Sequence, residues 1–119
     1  MSREREEITK VIERLELLEE KFGIAISGVY VHGGPGRVNG EDVYFMDINF
    51  DLISLSGGKL KENIAINASA YNSAGQLLRT TSYTIWAEKF MGFQSVSMDL
   101  YTYCSYQAPE KVRLFPSAY

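Results

Sequence analysis

The sequence has a single cysteine, three prolines and no long apolar run in its 119 residues. Because Cys104 has no second cysteine to pair with, no intrachain disulfide can form, which is typical of proteins of a reducing compartment. No segment approaches the ~20 consecutive apolar residues that a membrane-spanning helix requires, and residues 1–21 lack the hydrophobic stretch of a signal peptide. We therefore expect a cytoplasmic protein that makes no contact with a membrane.

Basic residues are also fewer than acidic residues. The chain contains 12 Lys and Arg residues against 15 Asp and Glu residues, so its net charge is −3. A general nucleic-acid binder carries a basic surplus or a basic stripe, and we therefore expect no nucleic-acid partner. The length and the 45% hydrophobic content fit one ordinary globular domain.

Residues 1–23 differ in composition from the rest of the chain. They are rich in Glu, Leu, Arg and Lys and contain no Gly or Pro before Gly23, which favours an amphipathic α-helix over residues 3–22. The apolar residues of this segment are spaced alternately by three and four positions, as in a coiled-coil seam. Such a short seam either dimerises or packs on the rest of the domain, and both interpretations stay open. The seam consists of Ile8, Val11, Leu15, Leu18 and Phe22.

From Ile24 onward, apolar and polar residues alternate between clusters of Gly, Asn and Ser, as in β-strands. The longest candidate strand is Val43–Leu55, in which a bulge is expected near Leu52 and Ile53 because the alternation slips there. Residues 33–40 contain four glycines and one proline, and we predict a loop there. Six or seven strands with regularly spaced turns predict an all-β fold, an antiparallel β-sandwich over residues 24–119, preceded by the helix of residues 1–23.

Three features of residues 24–116 resemble immunoglobulin-like modules of bacterial proteins, of the FxLYD and CARDB-like types. They are the turn Tyr71–Gln76 between two central strands, the segment Phe93–Leu100 and the short closing strand Val112–Phe115. The resemblance implies an immunoglobulin-like sandwich that acts in adhesion, in assembly or as an accessory domain, and that is not an enzyme.

Two motifs are typical of chemistry, but the residues that would complete them are missing. The segment His32–Gly36 is similar to the oxyanion loop of proline iminopeptidase-type hydrolases, yet the chain has no Gly-x-Ser-x-Gly elbow and no second histidine. The segment Asp47–Asp51 resembles the start of a calcium loop, but Leu52 and Gly58 stand where glycine and glutamate are required. We predict no catalytic residue, no cofactor and no metal centre, and leave open a weak cation site near Asp47 and Asp51.

Aromatic residues are the remaining candidates for a binding surface. Alternation along the last long strand places Tyr101 and Tyr103 on its outer face, where a rigid ring contacts a partner at low entropic cost. Trp86, Phe90 and Phe93 are predicted to close one end of the core.

We therefore predict a non-catalytic protein-interaction or assembly module that binds a protein partner or a second copy of itself. The alternative is a small-ligand or carbohydrate-binding sandwich that uses residues 33–40 as a lid and the exposed tyrosines as a platform. The predicted interaction residues are Ile8, Val11, Leu15, Leu18, Tyr101 and Tyr103.

Overall fold

A computed structural model describes residues 5–103 and 107–119. As predicted, the described chain is mainly β. It contains one short helix, α1, and one 3-10 turn, at Thr9–Val11. In chain order the elements are β1 (Glu6–Glu7), β2 (Ile12–Arg14), α1 (Glu16–Lys21), β3 (Ile24–Val38), β4 (Glu41–Ser54), β5 (Ile64–Tyr71), β6 (Leu77–Ile85), β7 (Phe93–Thr102) and β8 (Lys111–Ala118).

The strands form two four-stranded sheets with a shared core. The first sheet has the order β1-β3-β4-β7, and the second has the order β2-β8-β5-β6. Neighbouring strands are antiparallel except for β2 and β8, which are parallel. Met46 and Ile48 of the first sheet and Ile66 and Ala68 of the second are fully buried in one apolar cluster. The core therefore lies between the two sheets.

The alternation predicted for β4 is confirmed. Every second residue from Tyr44 to Leu52 is buried, and the residues between them, such as Asp47, face outward. The bulge predicted near Leu52 and Ile53 is wrong, because β4 keeps its alternation to Ser54. The register instead shifts in the partner strand β3, between Ser27 and Tyr30, where Gly28 has a φ of 60°.

The helix predicted over residues 3–22 is formed only in its last third in the described part of that segment. Residues from Arg5 onward form β1, the 3-10 turn and β2, and only Glu16–Lys21 is α-helical. The physical reason is that β1 and β2 pair with β3 and β8, one in each sheet. These ladders satisfy the backbone hydrogen bonds that a helix would otherwise make, and tertiary pairing overrides helix propensity, which is a weak preference.

The predicted coiled-coil seam is consequently divided among several elements. Ile8 lies in the core with 5% of its surface exposed. Val11, Leu15 and Leu18 are half-buried, and Val11 packs against the core. The seam residues therefore do not share one helix face.

A buried carboxylate joins the N-terminal segment to the first sheet. Glu19 is 2% exposed and accepts two hydrogen bonds from Arg14, at 2.8 and 3.0 Å. It also accepts a hydrogen bond of 3.0 Å from the backbone N–H of Ile26. A buried charge is tolerated only when it is paired and hydrogen-bonded in this way.

Residues 33–38 are not the predicted loop but the second half of β3. They pair with β4 up to Val38 and Glu41, where Asn39 and Gly40 form the turn with φ values of 51° and 79°. Two consecutive positive φ values are typical of a type I′ hairpin turn, for which Asn-Gly is the preferred sequence.

Glycine and proline are compatible with this strand for two different reasons. A Cβ atom on Gly33 would lie 2.6 Å from Cε1 of Tyr44 and 2.8 Å from the carbonyl oxygen of Phe45. Glycine therefore lets the Tyr44 ring lie directly against the backbone of β3. Pro35 lies where β3 is an edge strand, because β1 pairs only with His32 and Gly33, and proline is tolerated on strand edges.

We expect Glu19→Ala to lower the free energy of unfolding by about 2 to 3 kcal/mol, because Arg14 and the Ile26 amide lose a charged hydrogen-bond partner. The neighbouring Glu20 is exposed, so Glu20→Ala is a matched control and is expected to change the same free energy by less than about 0.5 kcal/mol. Urea denaturation of both variants measures the difference. Equal effects in the two variants would show that the Glu19 contacts contribute nothing to stability.

The two glycines Gly33 and Gly36 allow a second comparison. We expect Gly33→Ala to destabilise the fold by about 1 to 3 kcal/mol, because the added methyl group collides with Tyr44 and the backbone of β4. A Cβ atom on Gly36 meets no atom closer than 3.8 Å, so Gly36→Ala is expected to be neutral or stabilising, by about 0.4 to 1 kcal/mol. Thermal denaturation followed by circular dichroism tests this. A Gly33→Ala variant as stable as Gly36→Ala would contradict the close packing of Tyr44 on β3.

Candidate functional site

The outer face of the first sheet carries a row of polar side chains that includes two carboxyl groups, which we call the acidic row: Arg5, His32, Asp47 and Asp99. The register of β3, β4 and β7 places His32 beside Asp47 and Asp47 beside Asp99. Arg5 donates hydrogen bonds to Asp47 and to Nδ1 of His32, the latter at 3.1 Å. The ion pair between Arg5 and Asp47 fastens the start of the described chain to the middle of the sheet.

The pKa of Asp99 is raised above its ordinary value by its neighbour in the acidic row. The hydrogen bond to Asp47 is the main cause, followed by burial and by repulsion between the two charges. Asp47 also accepts a hydrogen bond from Arg5.

Asp47 and Asp51, near which we left open a weak cation site, have other polar partners in the structure. Asp47 is paired with Arg5, and Asp51 accepts a hydrogen bond of 2.8 Å from the hydroxyl of Ser95. Within residues 5–103 and 107–119, no three His, Cys, Asp or Glu side chains are grouped so that they would hold a metal ion. Cys104 lies outside the described residues.

Tyr101 and Tyr103 lie together at the far end of the same outer face. The ring centroids of Tyr101 and Tyr103 are 5.7 Å apart, and Phe45 stacks on Tyr101 at 6.1 Å. The guanidinium of Arg79, from β6, lies 4.1 Å from the centroid of Tyr101. We call these four residues the tyrosine cluster. Tyr103 is 51% exposed and Tyr101 is half-buried, so only part of the cluster is accessible.

The six predicted interaction residues therefore do not form one site. The structure brings Tyr101 and Tyr103 together, but Ile8 is in the core and Leu15 and Leu18 lie beside or within α1. The prediction that Trp86, Phe90 and Phe93 all close the core is also only partly right. Phe90 is buried, whereas Trp86 is 42% exposed and Phe93 is 58% exposed.

A larger surface, not expected from the sequence, lies at the end of the two sheets where β4 finishes and β5 begins. Here the turns 55–63 and 86–92 meet the C-terminal end of α1. Of the twelve large apolar side chains that are exposed in the described chain, six belong to this end. We call it the apolar end: Ile53, Leu55, Trp86, Met91, Phe93 and Tyr119.

Backbone contacts hold the two turns of the apolar end together. The N–H of Ser54 donates to the carbonyl of Gly92, and the N–H of Leu55 donates to the carbonyl of Gly23, both at 2.9 Å. A Cβ atom on Gly92 would lie 2.9 Å from the carbonyl oxygen of Gly57. Glycine at position 92 thus permits the close approach that brings Met91 beside the turn of Leu55.

A cavity of about 550 Å³ opens at the apolar end. Its apolar lining comes from Phe22, Leu55, Leu60 and Ile64. Ile53 and Phe93 are cross-strand neighbours on one side of it, and the rings of Trp86 and Tyr119 meet edge to face, with their centroids 5.1 Å apart, near the first residue of β5. A volume of 300 to 1,000 Å³ is usual for sites that take a small molecule or a few side chains. The rim carries Lys21, Lys59, Lys61, Glu20 and Glu62.

Sequence reasoning missed the apolar end because its residues come from separate parts of the chain. The cavity lining alone draws on residues 20–23, 54–56 and 59–64, and no linear spacing relates them. One signal was present: Leu55 and Met91 stand next to glycine-containing turns, where a large apolar residue has no strand partner to cover it.

Comparisons with protein-family models, with curated proteins and with solved structures find no match to this chain. Within the described ranges, no helix combines the length and the apolar composition that crossing a bilayer requires. Inference about function therefore starts from the surfaces of this chain itself.

The acidic row predicts a pH dependence of stability. Because the pKa of Asp99 is higher in the folded protein than its ordinary value, folding is favoured by the proton it binds, and this contribution is lost as the pH rises through the folded pKa. Asp99→Asn keeps a donor to Asp47 and removes the second charge. We expect this variant to gain stability over the wild type near about pH 7, and the difference to shrink below about pH 4.

Urea denaturation across this pH range measures the effect. Glu88→Gln removes an exposed carboxyl group outside the acidic row and is the control, for which we expect a curve parallel to that of the wild type. If the Asp99→Asn curve is also parallel to the wild-type curve, the pKa of Asp99 is not raised by folding.

Proposed function

We propose that this domain is a non-catalytic protein-interaction or assembly module that binds a segment of a partner protein at its apolar end. The observation that carries the proposal is an apolar-lined cavity at the end of the sheets where half of the exposed large apolar side chains lie, with Leu55 common to both. Large exposed apolar patches on soluble domains mark interaction sites. Met and aromatic residues, which make up much of this patch, are enriched in protein interfaces.

The extent of the patch favours a polypeptide over a small molecule. The apolar side chains extend beyond the cavity on two sides, over Ile53 and Phe93 and over Trp86 and Tyr119. A small molecule in the cavity would leave these four side chains in water. A peptide chain that inserts one side chain into the cavity could run on over one of the two pairs and cover it, and each large side chain fully buried would contribute about 1.5 to 3 kcal/mol to association.

The order of the strands supports the immunoglobulin-like resemblance, which implies the same kind of role. If β3, β4 and β7 are compared with immunoglobulin strands A, B and E, then β8, β5 and β6 correspond to strands F, C and C′. Strands D and G have no counterpart in this order, and β2 lies beside β8 where strand G would pair. The resemblance thus extends to connectivity for six strands, and modules of that kind act in adhesion and assembly.

The position of the acidic row supports a non-catalytic role. His32 and Asp99 have the residue types of a general base and acid, but neither lines the cavity of the apolar end. They lie on a sheet face, where Arg5 already donates hydrogen bonds to His32 and Asp47. A structural role, in holding the N-terminal segment on the sheet, accounts for the contacts of His32 and Asp47 with Arg5.

The tyrosine cluster supports a second candidate function, the binding of a carbohydrate. Three adjoining rings on one sheet face, with Tyr103 half exposed, are suited to stacking on a sugar. The lid proposed from the sequence for this function is wrong, because residues 33–38 lie in β3. A screen of oligosaccharides by NMR, with Tyr103→Ala as the variant that loses binding, tests this candidate.

For the main proposal, we expect peptides selected from a random displayed library on the full chain to bind at the apolar end. Leu55→Asp places a charge at the mouth of the cavity and should weaken binding at least ten-fold, a loss of about 1.4 kcal/mol. Leu77→Asp is a matched control, because Leu77 is 58% exposed, Leu55 is 56% exposed, and the two lie at opposite ends of the sheets. Isothermal titration calorimetry of both variants gives the comparison.

Two outcomes would overturn the proposal. One is that no peptide with a micromolar Kd is obtained from the wild type. The other is that the selected peptides bind Leu55→Asp as tightly as Leu77→Asp, since the contact would then lie elsewhere.

A further inference from the structure

The outermost strands on the two sides of the paired sheets differ greatly in length and in charge. On one side the outermost strands are β1 and β2, which are two and three residues long and include the charged residues Glu6, Glu7, Glu13 and Arg14. On the other side they are β6 and β7, which are nine and ten residues long. Short or charged edge strands prevent pairing with another chain, whereas long uncharged edges invite it.

Strand β6 has the composition of a strand that pairs on both edges. Its sequence has no proline, and Arg79 is its one charged residue. Five of its nine residues are β-branched or aromatic, which favours strand pairing: Thr80, Thr81, Tyr83, Thr84 and Ile85. In the described chain β6 pairs with β5 alone. One edge of its backbone therefore has no strand partner among the described residues.

Contacts with β7 involve side chains of β6 on its core-facing side. Arg79 and Tyr83 pair across β5 with the buried residues Ala70 and Ile66, so they point to the core side of the second sheet. From there Arg79 reaches the ring of Tyr101, and the hydroxyl of Tyr83 accepts a hydrogen bond from Gln94. These contacts fix β6 without forming a ladder on its second edge, since β6 and β7 are in different sheets.

We propose that this edge of β6 pairs antiparallel with β6 of a second copy of the chain, about a two-fold axis at Thr81. The two second sheets would then join into one continuous eight-stranded sheet. This surface is separate from the apolar end, and the proposal is independent of the function proposed above.

The sequence of β6 is complementary to itself in this arrangement. Thr81 is the central residue of Leu77–Ile85, so this register overlaps all nine residues, and any shift loses pairs. Thr81 would face its own copy, Thr80 would face Ser82, and Leu77 would face Ile85. The single charge, Arg79, would face the ring of Tyr83 and not another arginine. Hydroxyl pairs, apolar pairs and a cation over an aromatic ring are all favourable neighbours across strands.

The first test is the solution mass of the full chain by light scattering. We expect the mass to rise from that of one chain to that of two as the concentration increases to about 1 mM, the level at which an association of about 4 kcal/mol becomes visible. Thr81→Lys puts two like charges opposite each other and should raise the dimer dissociation constant at least ten-fold. Ser97→Lys, at an exposed position on β7, is the matched control and should leave it unchanged.

The second test keeps the proposal decidable if Thr81→Lys fails to fold. This test uses a Cys104→Ser background, in which Thr81→Cys is a small change. In the proposed dimer the two thiols introduced by Thr81→Cys would lie opposite each other across the axis, and the two Cα atoms would lie within the separation of 4.4 to 6.8 Å that disulfides require. We expect mild oxidation to give a covalent dimer of Thr81→Cys. Ser95→Cys, on β7, should stay monomeric under the same conditions.

Three results would overturn the proposal. The first is a wild-type chain that stays monomeric up to about 1 mM. The second is a cross-link that forms as readily with Ser95→Cys as with Thr81→Cys. The third is a dimer that Leu55→Asp disrupts and Thr81→Lys does not, because the contact would then lie at the apolar end.

Discussion

Burial of one apolar face of each sheet against the other is the interaction on which the rest of this structure depends. Two layers that pack face to face exclude water from the faces, but they leave the edges and the ends of the strands uncovered. In this chain the N-terminal segment covers part of one pair of edges, through β1 on His32 and Gly33 of β3 and through β2 on Val112–Leu114 of β8. The opposite edges and the end beside α1 are left accessible, and both binding surfaces inferred above arise there.

The path of the N-terminal segment explains how one side becomes closed. The segment crosses from the first sheet to the second, with Ile8 in the core and Glu19 buried against Arg14 and the Ile26 amide. The ion pair of Arg5 with Asp47 holds its start on the first sheet, and ion pairs of Glu13 with Lys111 and Arg113 hold its middle on the second. The charged residues that favoured an amphipathic helix therefore form ion pairs that hold this segment on both sheets.

Features that depend on local patterns were predicted from the sequence, and features that depend on distant neighbours were not. In β4 the alternation from Tyr44 to Leu52 predicted which face is buried, because the two-residue period of a strand is a local property. In residues 33–38 the glycines predicted a loop, yet Gly33 is required by the ring of Tyr44, which packs there from the neighbouring strand. Of the candidate sites, Tyr101 and Tyr103 were predicted to be neighbours on an outer face, whereas the apolar end was not predicted, because turns from separate segments assemble it.

By itself the sequence determined that the chain is mainly β, where β4 lies and which face of β4 is buried. These properties follow from short-range patterns of apolar and polar residues. Only the tertiary structure decided that Glu6–Glu7 and Ile12–Arg14 pair as strands and do not continue the helix, and which strand edges are paired. It also decided that Leu55, Met91 and Phe93 lie at one end. The physical reason is that each of these depends on a partner distant in sequence, whose backbone or ring is brought close only when the two sheets pack.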